Sequence, residues 1–426
     1  MSSTSRIPGF KDLGVDARRA HVAAMSGLSL VDLAVLDPAH GLGLEQADRM
    51  VENVVGVLGV PVGIATNFVV DGREVLVPMA TEEASVVAAA SNLARMARPH
   101  GGFVSSATAP LMQAQVQVLD VADPVAGRVR LLEAREELMA LADEQDPALV
   151  RHGGGARDVV VRLVPVNAEK TFVVLHLVVD VRDAMGANAV NTMAEAIAAR
   201  VAEIAGGRSL LRILTNKADL RVTRVRAVFG AEQLGGPQVV DDMVSAAAFA
   251  VADPYRAATH NKGIMNGVTA VVLATGNDTR AVEAGAHSHA VGPDGRYSSL
   301  SRFEKTADGH LVGTLELPMA VGLVGGATKV HPVARANVAI TGARSAAELA
   351  SLVVSVGLAQ NAAALRALAS EGIQRGHMSL HARNVAVSAG AVGEEVDAVA
   401  SAMVNAKTIG ADAAGALLAR HRAGLD

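Results

Sequence analysis

Apolar positions along the chain repeat with a period of two in some segments and at helical spacing in others. The clearest succession lies between residues 109 and 219, where short alternating segments flank two longer helical ones. Strict alternation is typical of half-buried strands, and helical spacing is typical of amphipathic helices. The patterns predict a strand over 113–121, a helix over 127–145, strands over 158–166 and 171–181, a helix over 187–206 and a strand over 209–215.

The order β-α-β-β-α-β is that of a ferredoxin-like unit, an antiparallel sheet with two helices on one face. Because such a unit buries its own apolar faces, residues 109–219 are predicted to form a discrete domain inserted into a larger one. Residues 1–108 and 220–376 then form the large, helix-rich, discontinuous domain, and residues 377–426 a helical C-terminal segment. The fold class that we predict is α+β.

Outside this insert the pattern is less regular. Residues 44–59 have apolar positions at helical spacing, and two alternating segments flank Asp71-Gly72, a strong hairpin signal. A helix is expected from Thr81, which can cap it, with Glu82 and Glu83 in the first turn. The remaining predictions are a short buried strand over 270–275, a helix over 279–290, a strand and a glycine-rich turn within 311–328, one or two helices over 345–372, and helical structure beyond 377 with a break near Gly390.

Composition excludes several classes of protein. The chain has 426 residues, 50% of them hydrophobic, and no cysteine. Disulfide scaffolds, thiolate nucleophiles, zinc–cysteine sites and iron–sulfur centres are therefore excluded. The net charge of −5 lacks the basic footprint of a nucleic-acid-binding protein. No apolar run reaches about 18 residues and no signal-peptide pattern opens the chain, so we expect a cytoplasmic protein without a membrane span.

Familiar nucleotide and hydrolase motifs are missing from the sequence. No GxGxxG follows a predicted strand, and neither GxxxxGK[ST] nor GxSxG occurs. Any nucleotide that the chain binds must therefore be held by an arrangement other than an ordinary Rossmann fold or a P-loop.

Isolated polar residues in apolar segments are the candidates for chemistry. Arg256, Lys262, Asn266 and Asp278 stand among small and aliphatic residues. A partly buried lysine beside a carboxylate can stabilise an oxyanion, although Asp278 could equally be only the N-cap of the following helix. Glu82-Glu83 could supply a carboxyl acid, or could merely place charge at the positive end of a helix dipole.

Three further segments have both a functional and a purely structural interpretation. In residues 181–188 a strand runs into a helix through small residues, which could form an anion site or a plain turn. The glycines of residues 321–332 could let a loop approach a ligand or simply turn the chain. His377 and His381 have the i, i+4 spacing of metal ligands, but no glutamate or cysteine completes a zinc motif. A mobile acid–base histidine is the alternative.

Several of these segments together resemble 3-hydroxy-3-methylglutaryl-coenzyme A (HMG-CoA) reductase in its bacterial class II form. Each segment alone is a weak signal, but the ordered set spans nearly the whole chain and is highly specific. The matching segments are ENVVG (52–56), PMATEEASVVAAAS (78–91), DVRDAMGANAVNTMAEA (180–196), DPYRAATHNKGIMNG (253–267), ATGND (274–278), HLVGTLELPMAVGLVGGATKVHP (310–332), LAQN (358–361) and EGIQRGHMSLHARN (371–384).

The resemblance implies a large helix-rich domain, an inserted ferredoxin-like domain that binds the dinucleotide, and a C-terminal helical flap. It implies the reduction of HMG-CoA to mevalonate and coenzyme A by two successive hydride transfers. By position in the family's motifs, Lys262 corresponds to the oxyanion-stabilising lysine and Glu83 to the acid. Asp278 corresponds to the carboxylate that hydrogen-bonds both, and His377 to the flap histidine that protonates the departing thiolate.

Positions for substrate and nucleotide follow from the same correspondence. Ser85, Arg256 and Asn266 match positions near the hydroxymethylglutaryl group, and Arg256 would pair with its carboxylate. Lys11 stands where a basic residue could meet the phosphates of coenzyme A. The dinucleotide-binding positions are Asp183, Met185, Gly186, Asn188 and Asn216.

Asp146 bears on the choice of nucleotide. A carboxylate just after the first helix of the insert can accept from both ribose hydroxyls of NAD and would repel a 2′-phosphate. We therefore expect NAD(H) rather than NADP(H), although Arg151 is close in sequence and could weaken the preference. An NAD(H) enzyme could work in mevalonate degradation, whereas NADPH would suit isoprenoid biosynthesis.

The resemblance also implies a homodimer with its sites at the subunit interface, assembled into a hexamer as three dimers. No step of the reaction needs a metal ion. On the residues alone, two other classes of function stay open: a metal-dependent hydrolase built on His377 and His381, and a ligand-binding module without activity. Both leave the isolated Lys262 and Asp278 unexplained.

Overall fold

Two sheets organise the chain in this computed structural model, which describes residues 4–370 and 382–424. Neighbouring strands pair antiparallel, except that β1 meets β3 in parallel at Val70 and Phe103. The larger sheet has the order β2-β1-β3-β8-β10-β9 and consists of β1 (Val62–Val70), β2 (Arg73–Ala80), β3 (Phe103–Ala107), β8 (Val222–Phe229), β9 (Ser301–Lys305) and β10 (Leu311–Pro318). The smaller has the order β5-β6-β4-β7 and consists of β4 (Leu111–Leu119), β5 (Gly155–Pro165), β6 (Thr171–Asp180) and β7 (Arg208–Leu214).

The smaller sheet confirms the predicted ferredoxin-like strand order. Its helices are α4 (Pro124–Glu133), α5 (Arg135–Asp143), α6 (Pro147–Arg151) and α7 (Ala187–Ala205). The sheet and these helices enclose a core separate from that of the larger sheet. The single helix predicted over 127–145 is divided at Ala134, and Leu131 and Leu138 on either side of the break are both fully buried in this core.

The larger sheet packs against long helices, and its core is mostly aliphatic. The helices outside the insert are α1 (Val15–Ser26), α2 (Leu44–Asp48), α3 (Val86–Ala97), α8 (Ala231–Leu234), α9 (Pro237–Ala252), α10 (Pro254–Ala274), α11 (Thr279–His289), α12 (Gly326–Val330), α13 (Pro332–Thr341) and α14 (Ala346–Ala369). Among the described residues, only α14 is long and apolar enough to cross a membrane, and 67% of its apolar window is buried. Burial of that kind is typical of a core helix.

The C-terminal segment is helical, as predicted. Residues 382–388 are helical, and after the expected break at Gly390 follow α15 (Glu394–Asn405) and α16 (Ala411–Arg422). Small and aliphatic residues from all three helices form a separate hydrophobic cluster.

Three local predictions are wrong, each because tertiary context overrides a short pattern. Residues 270–275 are the last turns of α10 and not a strand, since a short apolar run fits either buried element. The helix predicted over 44–59 ends at Asp48, and the valine-rich residues that follow have no surface to pack against. The helix expected from Thr81 begins only at Val86, because Ser85 has a left-handed φ of 77°, which interrupts a helix.

A part-buried ion pair ties the N-terminus to the edge of the larger sheet. Arg98 donates to both carboxylate oxygens of Glu74, at 2.5 and 2.8 Å, and Ser5 donates to the same carboxylate. The hydrogen bonds from Arg98, helped by those from Ser5, lower the pKa of Glu74 from 4.5 to about 2. The ionised form is therefore favoured in the folded state, and its stabilisation is present above pH 4.5 and lost as the pH falls towards 2.

We expect Glu74→Gln to lower the free energy of unfolding at pH 7 by roughly 1–3 kcal/mol, since it removes charged hydrogen bonds. The difference from the unmodified chain should shrink as the pH falls to 3, where Glu74 loses its advantage. Urea unfolding at the two pH values measures this. Glu45→Gln is the matched control, because Glu45 forms an exposed pair with Arg49 and should contribute little. An equal loss at both pH values would contradict the assignment.

Candidate active site

Helix α10 carries polar residues that stand out in the sequence. Asp253 caps the helix by accepting a hydrogen bond from the Arg256 N–H at 2.8 Å, and Pro254 occupies its first position. Lys262 and Asn266 are four residues apart, so they project from one face. The Arg256 side chain lies in the first turn and makes no hydrogen bond or ion pair with another described residue.

Glu83 completes a cluster with this face of the helix. The Lys262 Nζ and the Asn266 Nδ2 each lie 3.4 Å from the Glu83 Oε2. The Lys262 side chain is 63% exposed and that of Glu83 41%. An ion pair so long and open contributes little to stability, so its charges and donors are available to a ligand.

The turn that carries Glu83 is strained. The Glu83 N–H donates to the Thr81 Oγ1 at 3.1 Å, and two residues later Ser85 has a φ of 77°. The Ser85 Oγ is buried without a hydrogen-bond partner among the described residues. A left-handed serine and an unpaired buried hydroxyl both cost free energy, and such costs concentrate at ligand sites. The Ser85 hydroxyl is thus an unsatisfied hydrogen-bonding group two residues from Glu83.

Two buried residues fix α10 immediately before Lys262. The His260 Nε2 lies 2.8 Å from the Ser301 Oγ and 3.1 Å from the Asn361 Nδ2, while Asn261 accepts from a backbone N–H. Burial, reinforced by nearby arginines, lowers the pKa of His260 from 6.5 to about 4, so the ring is neutral at pH 7. Sequence reasoning missed both residues, although two polar residues facing inward on an apolar helix are a usable signal.

Asp278 serves as a helix cap, one of the two roles that the sequence left open for it. Its Oδ1 accepts from the backbone N–H groups of Arg280 at 3.0 Å and Ala281 at 3.1 Å, at the start of α11. Among the described residues, no hydrogen bond or ion pair joins Asp278 to Lys262 or Glu83.

The arrangement of α10 and α11 explains that separation. Lys262 precedes Ala274, the last residue of α10, by 12 residues, which is about 18 Å of helix. Helix α11 then runs back along α10, because the Tyr297 Oη lies 3.0 Å from the Asn261 Nδ2 and 2.7 Å from the His287 Nδ1. Within one chain, Asp278 therefore lies just beyond the C-terminal end of α10, while Lys262 lies near the middle of that helix.

The predicted dinucleotide residues cluster where β6 leads into α7. Gly186 has a φ of 99°, and a Cβ there would lie 2.6 Å from the Val181 side chain, so the turn requires glycine. Asp183 is already engaged, since its Oδ1 accepts from the Ala346 N–H at 2.7 Å. Asn188 is exposed in the first turn of α7, and Met185 packs on the core of the smaller sheet.

A residue that the sequence did not single out holds the turn between β6 and α7 by hydrogen bonds to its carbonyls. The Arg221 guanidinium is buried and donates to the carbonyls of Ala184 at 2.9 Å, Met185 at 3.3 Å and Val321 at 2.6 Å. Arg221 belongs to no recognisable motif, so its role can be read only from the structure.

The other predicted nucleotide residues lie on the same insert. The Asp146 Oδ1 accepts from the Leu149 N–H at 2.9 Å and so caps α6, leaving its second oxygen free of described partners. Arg151, at the end of α6, is exposed. Asn216 follows β7, and its carbonyl would lie 3.1 Å from a Cβ on Gly285 of α11.

A cavity of about 1570 Å³ lies beside the larger sheet. Lys11 and several arginines line one part of it, and Gly276 and Asn277 line another. It is larger than a usual site for a small ligand, and its basic lining suits a large anionic ligand. The cavity extends to Asn277, which directly precedes Asp278. Lys262 and Glu83 do not line it.

His377 and His381 fall outside the described residues, so the structure does not place them. Within residues 4–370 and 382–424, no group of three or more His, Cys, Asp or Glu side chains could hold a metal ion.

Comparison with known proteins identifies the family. The family model for hydroxymethylglutaryl-coenzyme A reductase matches residues 14–382. The chain is 53% identical over 420 residues to the HMG-CoA reductase of Archaeoglobus fulgidus, with 98% of this chain and 95% of that one covered. A probable HMG-CoA reductase of Borreliella burgdorferi is 34% identical over 344 residues, with 79% and 77% covered.

Solved structures agree with the sequence comparison. HMG-CoA reductase from Streptococcus pneumoniae superposes with a TM-score of 0.83 at 39% identity, covering 97% of this chain and 99% of that one. A structure described as the class II enzyme of the same organism, bound to NADPH in open conformations, gives a TM-score of 0.82 at 39% identity with 85% and 99% covered. The chain therefore belongs to the HMG-CoA reductase family, in its class II form.

Proposed function

We propose that the thioester carbonyl of HMG-CoA is reduced beside the Glu83–Lys262–Asn266 cluster. The observation that carries the assignment is the meeting of Lys262 and Asn266 on one carboxylate oxygen of Glu83, in a setting open to a ligand. Each of two hydride additions places negative charge on the carbonyl oxygen, and the Lys262 ammonium is the group that can stabilise it. In its protonated form, Glu83 within reach of the same oxygen can deliver the proton that neutralises it and is left as a carboxylate beside Lys262.

The remaining roles follow from the family's motifs. Ser85, Asn266 and Arg256 would hold the hydroxymethylglutaryl group, with the Arg256 guanidinium on its free carboxylate. His377 is the acid proposed for the departing coenzyme A thiolate. Lys11, on the wall of the large cavity, would meet phosphates of coenzyme A.

We infer that the Asp278 that completes a catalytic cluster comes from a second copy of the chain. Asp278 lies just beyond the C-terminal end of α10, about 18 Å of helix from Lys262. The segment 51–62 supports an interface, because Val55 is fully exposed and Leu58 is 90% exposed. Apolar surface of this kind marks association sites. The cavity of one chain ends beside its own Asp278, where the partner's Lys262 and Glu83 would meet the thioester. A hexamer of three such dimers stays a prediction.

Nicotinamide nucleotide supplies the hydride, and we propose residues 109–219 as the domain that binds it. Asp183, Met185, Gly186 and Asn188 would form one part of that site and Asn216, beside α11, another.

NAD(H) is the proposed nucleotide, with mevalonate degradation as its physiological setting. Asp146 has one carboxylate oxygen free for the ribose hydroxyls, and its charge opposes a 2′-phosphate. Arg157 and Arg182 are not free to offset that charge, because both pair with Asp180.

Mixing two inactive variants tests whether two chains share the site. We expect Lys262→Ala and Asp278→Ala to be inactive alone and to regain about a quarter of full activity after subunit exchange in equal amounts. Half of the dimers would then be mixed, and each would hold one intact site of two. The measurement is HMG-CoA-dependent oxidation of reduced nicotinamide.

A chain with both substitutions is the control. Exchanged with the unmodified chain, it should leave every mixed dimer inactive, because each site would lack one residue. No recovery in the first mixture, with active mixed dimers in the control, would place Lys262 and Asp278 of one chain in the same site.

The nucleotide preference is tested with Asp146→Asn, which keeps the cap oxygen and removes the charge. We expect the ratio of kcat/KM for NADPH to that for NADH to rise about tenfold, since one repulsive contact with the 2′-phosphate is lost. Asp123→Asn is the matched control: Asp123 caps α4 before a proline in the same way, at another place. It should leave the ratio unchanged. An unmodified enzyme that already prefers NADPH would overturn the NAD(H) assignment and leave the reaction intact.

A further inference from the structure

We propose that Arg221 is a positioning residue for the nicotinamide nucleotide: it holds the backbone of the 184–186 turn, at the start of α7, in the conformation that receives the ligand. The inference rests on the proposed function, in which this turn binds the dinucleotide. Arg221 would act through the turn and would not touch the reacting atoms.

The geometry fixes the direction of the turn. One guanidinium nitrogen of Arg221 donates to the carbonyls of Ala184 and Met185, and the other donates to the carbonyl of Val321. Both carbonyls of the turn are thereby held on the Arg221 side. The planar fork of a guanidinium keeps such bonds in a fixed mutual orientation, which a flexible ammonium does not.

The segment that follows β10 braces the same turn. A Cβ on Gly322 would lie 2.5 Å from the Met185 backbone nitrogen, and the Leu323 N–H donates to the Asp183 carbonyl at 2.8 Å. The Gly322 N–H in turn donates to the Asn277 Oδ1 at 2.8 Å, one residue before Asp278. Arg221 therefore links the nucleotide turn to the end of α10 where Asp278 lies.

The Arg221 guanidinium is a buried charge beneath the turn. Burial lowers its pKa from 12.5 to about 10, while the nearby carboxylates of Asp183 and Asp180 act in the opposite direction, so Arg221 stays charged at pH 7. Arg221 lies beneath the N-terminal end of α7, where the helix dipole would attract a nucleotide diphosphate.

Direct binding measurements on Arg221→Met and Arg221→Lys test the proposal. We expect the Kd for NADH to rise about tenfold in Arg221→Met, because the turn is no longer held in its binding conformation, with the Kd for HMG-CoA unchanged. Arg221→Lys keeps the charge and should recover part of the loss. Nucleotide fluorescence and calorimetry measure the two Kd values well below the Tm of each variant.

Arg130→Met is the matched control for a purely structural effect. Arg130 donates to the carbonyls of Ile204 and Ala205 and so holds the other end of α7. It should lower the Tm without changing the Kd for NADH. A lowered Tm of Arg221→Met with an unchanged Kd for NADH, or an equal weakening of NADH and HMG-CoA, would contradict the positioning role.

Asn188→Ala separates this proposal from the function on which it rests. Asn188 is exposed at the start of α7, so its substitution should weaken NADH binding without affecting the fold. If Asn188→Ala weakens binding and Arg221→Met does not, the positioning role fails and the nucleotide site stands. If neither variant weakens binding, the nucleotide lies elsewhere and both assignments fail.

Discussion

The anchoring of helix α10 by buried hydrogen bonds is the constraint on which the site depends. His260, neutral because it is buried, bonds to Ser301 and Asn361, and Asn261 bonds to the loop before β9. These contacts fix the rotation of the helix at Lys262, so Lys262 and Asn266 face Glu83 and solvent. An unanchored helix of this composition could turn the lysine elsewhere at little cost, because the Lys262–Glu83 pair is long and open.

The rigid packing of α11 against α10 also keeps Asp278 far from Lys262 within one chain. Helices α10 and α11 run in opposite directions and are joined near Asn261 by Tyr297 and His287, which leaves Asp278 at the far end. That end is bonded through Asn277 and Gly322 to the turn held by Arg221. One chain therefore offers a Lys262–Glu83 cluster at one place, and the Asp278 end with the turn held by Arg221 at another. A two-fold dimer, in which each half meets its complement, would use both.

The sequence predicts the insert well because its elements are long, regular and self-sufficient: the alternation over 113–121 and the helical spacing over 187–206 need no distant partner. It missed β3, β8 and β9, which are short or lie in the centre of a sheet whose other strands are far away in sequence. Lys262 and Glu83 stand out first as isolated polar residues and then as family motif positions, and they do meet. The separation of Lys262 from Asp278 was not predictable, because the apolar run of residues 270–275 predicts a strand, and only the continuous 21-residue α10 sets the distance.

Site-directed cross-linking tests the shared site most directly, and the absence of natural cysteine makes it clean. Chains with Lys262→Cys and chains with Asp278→Cys would be exchanged, treated with a short bis-maleimide and separated by mass. We expect covalent dimers that join the two unlike chains, and few from either chain alone. The double variant, diluted into excess unmodified chain, should stay without an internal link. An internal link there, with no dimers joining unlike chains in the mixture, would contradict a site built from two chains.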